Sequence, residues 1–215
     1  MEQLFIKEIK IKKPVSLSKA EHLLEQHSVT HSISNLNWKE FSYKPEVKFR
    51  IAHVNNEIWL KYYVKEKHVK AVETRTNGDV YKDTCVEFFV APEGKNYYNF
   101  EISCIGTIHL AYGPGRNGRK FVDPDTIAKI ERVSTLGDQP FEEKTGNFEW
   151  EIMIRIPIEV MSYSDLKSLG GLKAMANFYK CGDETSIPHY VTWNPIKTEE
   201  PDYHRPEFFG KIFFE

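Results

Sequence analysis

"VKFRIAHVNNEIWLKYYV", residues 47–64, decides the fold class. On either side of an Asn-Asn-Glu turn the apolar residues fall at every second position: Val47, Phe49 and Ile51 before it, Ile58, Leu60, Tyr62 and Val64 after it. Successive side chains of a strand point to opposite faces, so this pattern predicts a β-hairpin with one face in a core. The other face carries Trp59, Lys61 and Tyr63. Trp59 is expected there as a partly exposed packing residue.

The same period of two recurs along the chain. "TCVEFFVA" sets Val86, Phe88 and Val90 against Cys85, Glu87 and Phe89, and "YYNFEISC" sets Tyr98, Phe100, Ile102 and Cys104 against Asn99, Glu101 and Ser103, with "PEGKN" as the turn between them. "GNFEWEIMIRIP" aligns Phe148, Trp150, Ile152, Ile154 and Ile156 on one face, which makes Trp150 a core residue. "LKAMANFYKC" and the closing "FFGKIFFE" complete the set. Helical spacing is confined to "SLSKAEHLLEQH", where Ser18 and Glu21 have the spacing of a capping box, and to a short turn at "SYSDLKSL". Many strands separated by Gly, Pro, Asn and Asp turns predict an all-β, antiparallel β-sandwich, read as one domain over residues 1–215. The longest irregular stretch, "AYGPGRNGRKFVDPDT", reads as a mobile basic surface connection, with a lid or binding edge as the alternative.

The bulk numbers exclude several partners. Lysine and arginine number 29 against 31 acidic residues, a net charge of −2, so no basic field argues for nucleic acid or an anionic membrane. No apolar run approaches the length of a membrane span. "MEQLFIKEIKIKK" lacks the continuous apolar segment of a signal peptide, so a soluble, cytoplasmic location is expected at face value, or a periplasmic or extracellular one if a leader was trimmed. Cys85, Cys104 and Cys181 are odd in number and far apart, which reads as buried free thiols.

Compact catalytic signatures are absent: no G-x-S-x-G, no Walker loop, no G-x-G-x-x-G after a strand, no H-E-x-x-H. "PDYHRPE" gathers Asp202, His204 and Glu207, with His189 upstream, but two prolines make it a turn in which His204 or Arg205 is expected to bond backbone carbonyls. Glu87 and Glu101 lie on the less apolar faces of neighbouring strands and are the pair a glycoside hydrolase would need, with Asp202 as another partner acid. An ordinary solvated sheet face explains them as simply. Trp38 reads as a structural plug. Trp193 begins a long polar loop, "VTWNPIKTEEPDYHRPEFFG", where a solvent-reachable indole would suit the flat C–H face of a pyranose.

"VYKDTCVEFFVAPEGKNYYNFEISCIGTIHLAYG" resembles the middle of the family 9 carbohydrate-binding modules, where a D-x-x-V-E-x-F strand precedes a tyrosine-rich strand and a glycine. "ANFYKCGDETSIPHYVTWNPIKTEEPDYHRPEFFGKIFFE" resembles the end of the same family's bacterial single-domain members, with its tryptophan, PD-aromatic-H turn and F-G before the last strand. The resemblance implies a DOMON-like β-sandwich that binds sugars without cleaving them, a plant-type β-glycan or its oligosaccharides being the expected partner. It implies a sugar held between two aromatics, here Trp193 and Tyr81, the latter standing where the family has a tryptophan. Glu87 matches the strand glutamate and Asn177 the amide before the final aromatic, with Arg75, Lys82 and Tyr179 as looser candidates. Structural calcium also occurs in the family, and Asp123 and Asp125 of "DPDT" could offer oxygens to it. Relatives of the same sandwich carry haem, for which Met153, Met175 and His109 are the available axial groups.

Overall fold

The structure, a computed structural model, describes all 215 residues. In chain order the elements are β1 (Gln3–Ile6), α1 (Leu17–His27), β2 (His31–Ile33), β3 (Asn35–Leu36), β4 (Glu46–Val54), β5 (Glu57–Ala71), β6 (Cys85–Ala91), β7 (Tyr97–Ser103), β8 (Ile108–Gly113), β9 (Lys120–Phe121), α2 (Pro124–Ile127), β10 (Glu131–Ser134), β11 (Phe141–Pro157), β12 (Lys173–Cys181), β13 (Tyr190–Thr192) and β14 (Gly210–Phe214). They form a β-sandwich. One sheet of nine strands runs β1-β14-β12-β6-β7-β8-β9, with β13 and β3 branching from β12, and the other runs β10-β11-β5-β4-β2. Every strand pair is antiparallel except β1 with β14. No helix is long and apolar enough to cross a membrane.

The hairpin expected at residues 47–64 is β4 and β5, with Val54 paired to Glu57 and Asn55 at φ 54° in the turn. Asparagine tolerates that left-handed conformation better than other residues with a Cβ. The alternating residues of β4, β5, β6, β7, β11 and β12 meet between the sheets in one cluster of 39 buried side chains. Phe178 stacks on Phe49 at 4.1 Å and on Phe88 at 4.9 Å, joining the two sheets through aromatic rings.

Two facing inner positions, Lys180 of β12 and Glu66 of β5, break the apolar rule. Lys180 points into the sandwich, where its ammonium meets Glu66 at 2.9 Å and donates to His189 Nε2 at 2.7 Å. Glu66 in turn accepts the Trp150 indole N–H at 2.7 Å. Burial, and then the Lys180 charge, hold His189 down at about 2, so it stays neutral and donates through Nδ1 to the Ile187 carbonyl.

Helix α1 begins two residues earlier than the capping-box spacing suggests. Ser16, not Ser18, is the N-cap and accepts from Lys19 N–H at 3.3 Å, because Lys19 stands where the box would need a glutamate. The helix lays Ala20 and Leu24 over Ala52, Val54, Trp59 and Met153 on the outer face of the five-stranded sheet. Trp59 is therefore fully buried, not partly exposed, with its N–H on Glu57 at 2.8 Å. "SYSDLKSL" forms turns without helix.

Candidate functional site

Register across the nine-stranded sheet assembles the site on its outer face. Tyr179 of β12 lies opposite Glu87 of β6, Glu87 opposite Glu101 of β7, and Glu101 opposite His109 of β8. Beside this row, Cys181 lies opposite Cys85 and Cys85 opposite Ser103. All of these positions alternate with the inward-facing core residues, so they point together away from the sandwich.

Four segments raise walls around this floor. Asp79 and Tyr81 come from the turn before β6, Arg116 and Arg119 from the β8–β9 connection with Phe121 in β9, Asp183 from the β12–β13 connection with Tyr190 opening β13, and Asp202 and His204 from the tail loop. They enclose a cleft of about 360 Å³. The basic loop read as a mobile connection is thus a wall of the cleft.

The polar groups of the cleft are incompletely partnered. Asn99 donates to Glu101 Oε1 at 2.8 Å, and Arg119 Nη1 stands 3.8 Å from the same oxygen. Glu101 Oε2, Arg119 Nη1 and His109 Nε2 are buried and have no hydrogen-bond partner, and neither has Asn99 Oδ1 beside them. Since His109 Nδ1 faces the Gly78 carbonyl at 3.0 Å and must donate to it, Nε2 presents a lone pair to the cleft. A buried polar atom without a partner costs about 1–3 kcal/mol, so a cluster of them marks a place where ordered water or a ligand completes the bonding.

Charge in the cleft is dominated by carboxyl groups. Burial, and then the neighbouring Glu101, push Glu87 well above the usual carboxylate range; the Cys181 thiol donates to its Oε1 at 3.0 Å. Burial and Glu101 likewise raise Asp183 to about 6. Burial, and then the arginines 119 and 116, lower His204 to about 2, and its Nδ1 bonds the Tyr97 hydroxyl at 2.7 Å rather than a backbone carbonyl. Asp202 is ion-paired with Arg116 at 2.9 Å, while Arg205 turns outward to Glu207.

Two of the seven residues expected to touch sugar, Tyr81 and Glu87, line this cleft. The other five do not. Trp193 is 7% exposed and sits in the main core, edge-on to Phe178 at 5.5 Å. A Cβ built on Gly210 would lie 2.5 Å from the Trp193 ring, so glycine is what lets the indole seat there. It is not a solvent-reachable platform, because the polar loop behind it folds back and Asn194 ties to the Phe208 carbonyl. Asn177 spends its amide on the backbone: it donates to the Asn194 carbonyl and accepts from Phe178 and Asn194 N–H. Tyr179 stacks on Tyr203 at 4.0 Å and is fully buried. Arg75 is exposed and clasps Glu73, and Lys82 bridges Asp79 and Glu184.

Sequence reasoning missed Arg119, Asp183, Tyr190 and Phe121 as lining residues, and Asn99 as the donor that holds Glu101. Phe121 is 58% exposed at the cleft rim, edge-on to His109 at 5.2 Å, and is the accessible aromatic that Trp193 is not. Asp123 caps α2 by accepting from Asp125 N–H, so its carboxylate is engaged locally. Met153 packs under α1 on the other sheet from His109, which separates two of the groups an axial haem pair would need. All three cysteines are buried and free.

A second, larger cavity of about 490 Å³ lies on the outer face of the five-stranded sheet. Beside it the Lys61 ammonium is held by Glu25 at 2.5 Å, Glu151 at 2.6 Å and Glu21 at 2.7 Å. Burial alone would lower the Lys61 pKa, and the three glutamates overturn that and raise it. The three carboxylates take up all three ammonium N–H donors.

A β-sandwich with an open, incompletely partnered polar cleft on one outer face has the architecture of a ligand-binding module. The sequence profile of carbohydrate-binding family 9 matches residues 18–214, and the chain belongs to that family. Among solved structures, a Bacteroides uniformis protein described as a candidate carbohydrate-binding protein is 39% identical with a TM-score of 0.96, the match covering 100% of this chain and 99% of that one. Two structures of a Caldicellulosiruptor kristjanssonii family 9 carbohydrate-binding module share the fold with TM-scores of 0.58. The one in complex with cellotriose is 11% identical (100% and 94% of the two chains), and the one with glucose is 12% identical (100% and 96%). No curated protein matches the chain.

Proposed function

We propose that the cleft on the outer face of the nine-stranded sheet binds an oligosaccharide, with a plant-type β-glycan as its source, and breaks no bond. The observation that carries this reading is the convergence of Glu101 Oε2, Arg119 Nη1 and His109 Nε2, none of which has a partner. A hydroxyl both donates and accepts, so adjacent sugar hydroxyls can serve two acceptors and a donor at once. Tyr81, Tyr190 and Phe121 supply rings for the C–H faces. Family membership and the cellotriose and glucose held by the Caldicellulosiruptor module support the same ligand class.

The carboxyl pair favours binding over hydrolysis. Glu87 and Glu101 are direct cross-strand neighbours on one sheet face and reach a ligand from the same side. A hydrolase needs its two carboxyl groups flanking the scissile bond. Calorimetric titration with cellotriose and glucose tests the reading: micromolar to millimolar affinity, roughly −4 to −8 kcal/mol, is expected, lost in Arg119→Ala. No heat from a panel of neutral oligosaccharides, or heat unchanged in Arg119→Ala, overturns it.

A further inference from the structure

At the floor of the cleft lie two thiols that sugar binding does not use, beside Glu87, which it shares. We propose that Cys85, Cys181 and Glu87 form a site for one thiophilic divalent cation of the zinc or cadmium class, with its fourth coordination position open to the cleft.

The geometry is close to what such an ion requires. The two sulfurs and a Glu87 oxygen all lie within 4.8 Å of one another. Tetrahedral zinc, with bonds of about 2.3 Å to sulfur and about 2.0–2.2 Å to oxygen, wants its donors about 3.6–3.8 Å apart. Shifts of about 1 Å or less reach that from here. Backbone pairing preorganises the set, since Cys181 lies directly opposite Cys85 and Glu87 is two residues along on the same face of β6. Two thiolates and a carboxylate select borderline-soft ions over calcium or magnesium.

The surroundings lack positive charge at this point. Lys180, the next residue to Cys181, points to the opposite face and is committed to Glu66. Arg119 stands against Glu101. Glu101, directly across from Glu87, and Asp183 add two further carboxyl groups around the trio. To bind as two thiolates and a carboxylate, the trio gives up two thiol protons and the Glu87 proton to solvent as the dication enters. Three S–H and O–H bonds are exchanged for two metal–sulfur bonds and one metal–oxygen bond, leaving a net charge of −1 on the assembly. Entry is through the cleft, which Cys181 and Glu87 both line.

The test is titration of the reduced, chelator-treated protein with cadmium, read by the ultraviolet cadmium–thiolate charge-transfer band. One equivalent is expected to develop the band in the wild type and in Cys104→Ser, whose thiol faces the Lys70 carbonyl outside the trio. Cys85→Ser and Cys181→Ser are expected to abolish it, and Glu87→Gln to weaken cadmium affinity at least tenfold. Affinity should rise with pH, about tenfold per unit for each proton released. Absence of the band in wild type, its persistence in either serine variant, or a Cys85–Cys181 disulfide in the purified protein overturns the proposal. Cellotriose calorimetry on the chelated protein fails or succeeds independently.

Discussion

The two outer faces of the sandwich each gather buried charge, and they handle it in opposite ways. On the five-stranded sheet, Lys61 meets three carboxylates at hydrogen-bonding distance and α1 covers the apolar remainder. On the nine-stranded sheet, Glu101, Arg119 and His109 each keep a buried atom unpaired and no helix covers them. The larger cavity lies beside the satisfied cluster, and the smaller one holds the unsatisfied groups. The proposed reading therefore rests on unpaired polar atoms and not on cavity size, because only those atoms have bonding left to give to a ligand.

Substitutions can break that contrast in order of expected effect. Trp193→Ala, between the two sheets, should cost about 3–5 kcal/mol in chemical denaturation by leaving a cavity, while the folded fraction still binds sugar. Retained stability together with lost binding would return the tryptophan to the ligand site. Lys61→Met should cost on the order of 2–3 kcal/mol, discounted because the glutamates are half-exposed, with sugar affinity unchanged.

On the cleft side the sign should reverse. Asp183 has its folded pKa raised from 3.8 to about 6, so the folded state binds the extra proton between those values. The stabilisation is present below pH ~3.8 and lost as pH rises through ~6. Asp183→Asn should therefore stabilise the protein by on the order of 2 kcal/mol at pH 7.5, and the gain should vanish by pH 4; an equal gain at both pH values would sink the account. Glu101→Gln should weaken sugar binding about tenfold without lowering the denaturation midpoint. Phe121→Ala should weaken it about threefold and leave stability within about 0.5 kcal/mol.

The strands were legible because alternation is local: the hairpin at 47–64, the Glu87 and Glu101 strands and the Trp150 strand all lie where their periods put them. Alternation also set Asn99 and Glu101 on one face. That face reads as solvated only while its other members are ignored. Cys85, Phe89, Tyr97 and Tyr179 share it and are buried, and so apolar a face needs a cover. What covers it comes from loops distant in sequence, from Tyr81 to His204, and the contact between Glu101 and His109 depends on a pairing register that no single strand announces. Trp193 was misplaced for the converse reason. Its polar sequence neighbours describe the loop's surface, whereas its own position follows from the backbone bond to the Phe178 carbonyl that carries it inward.

The contact between Trp193 and Gly210 also bears on how this chain can change. Any side chain at position 210 collides with the indole, and any smaller residue at 193 leaves empty space over the glycine. Each single step is costly, while a joint exchange that moves volume from one position to the other relieves the clash with the ring and leaves only the Glu2 carbonyl at 3.0 Å, so the energies of the two substitutions should fall short of adding. The tryptophan and the F-G of the tail therefore constitute one mutational unit, accessible to drift only along a path that alters both.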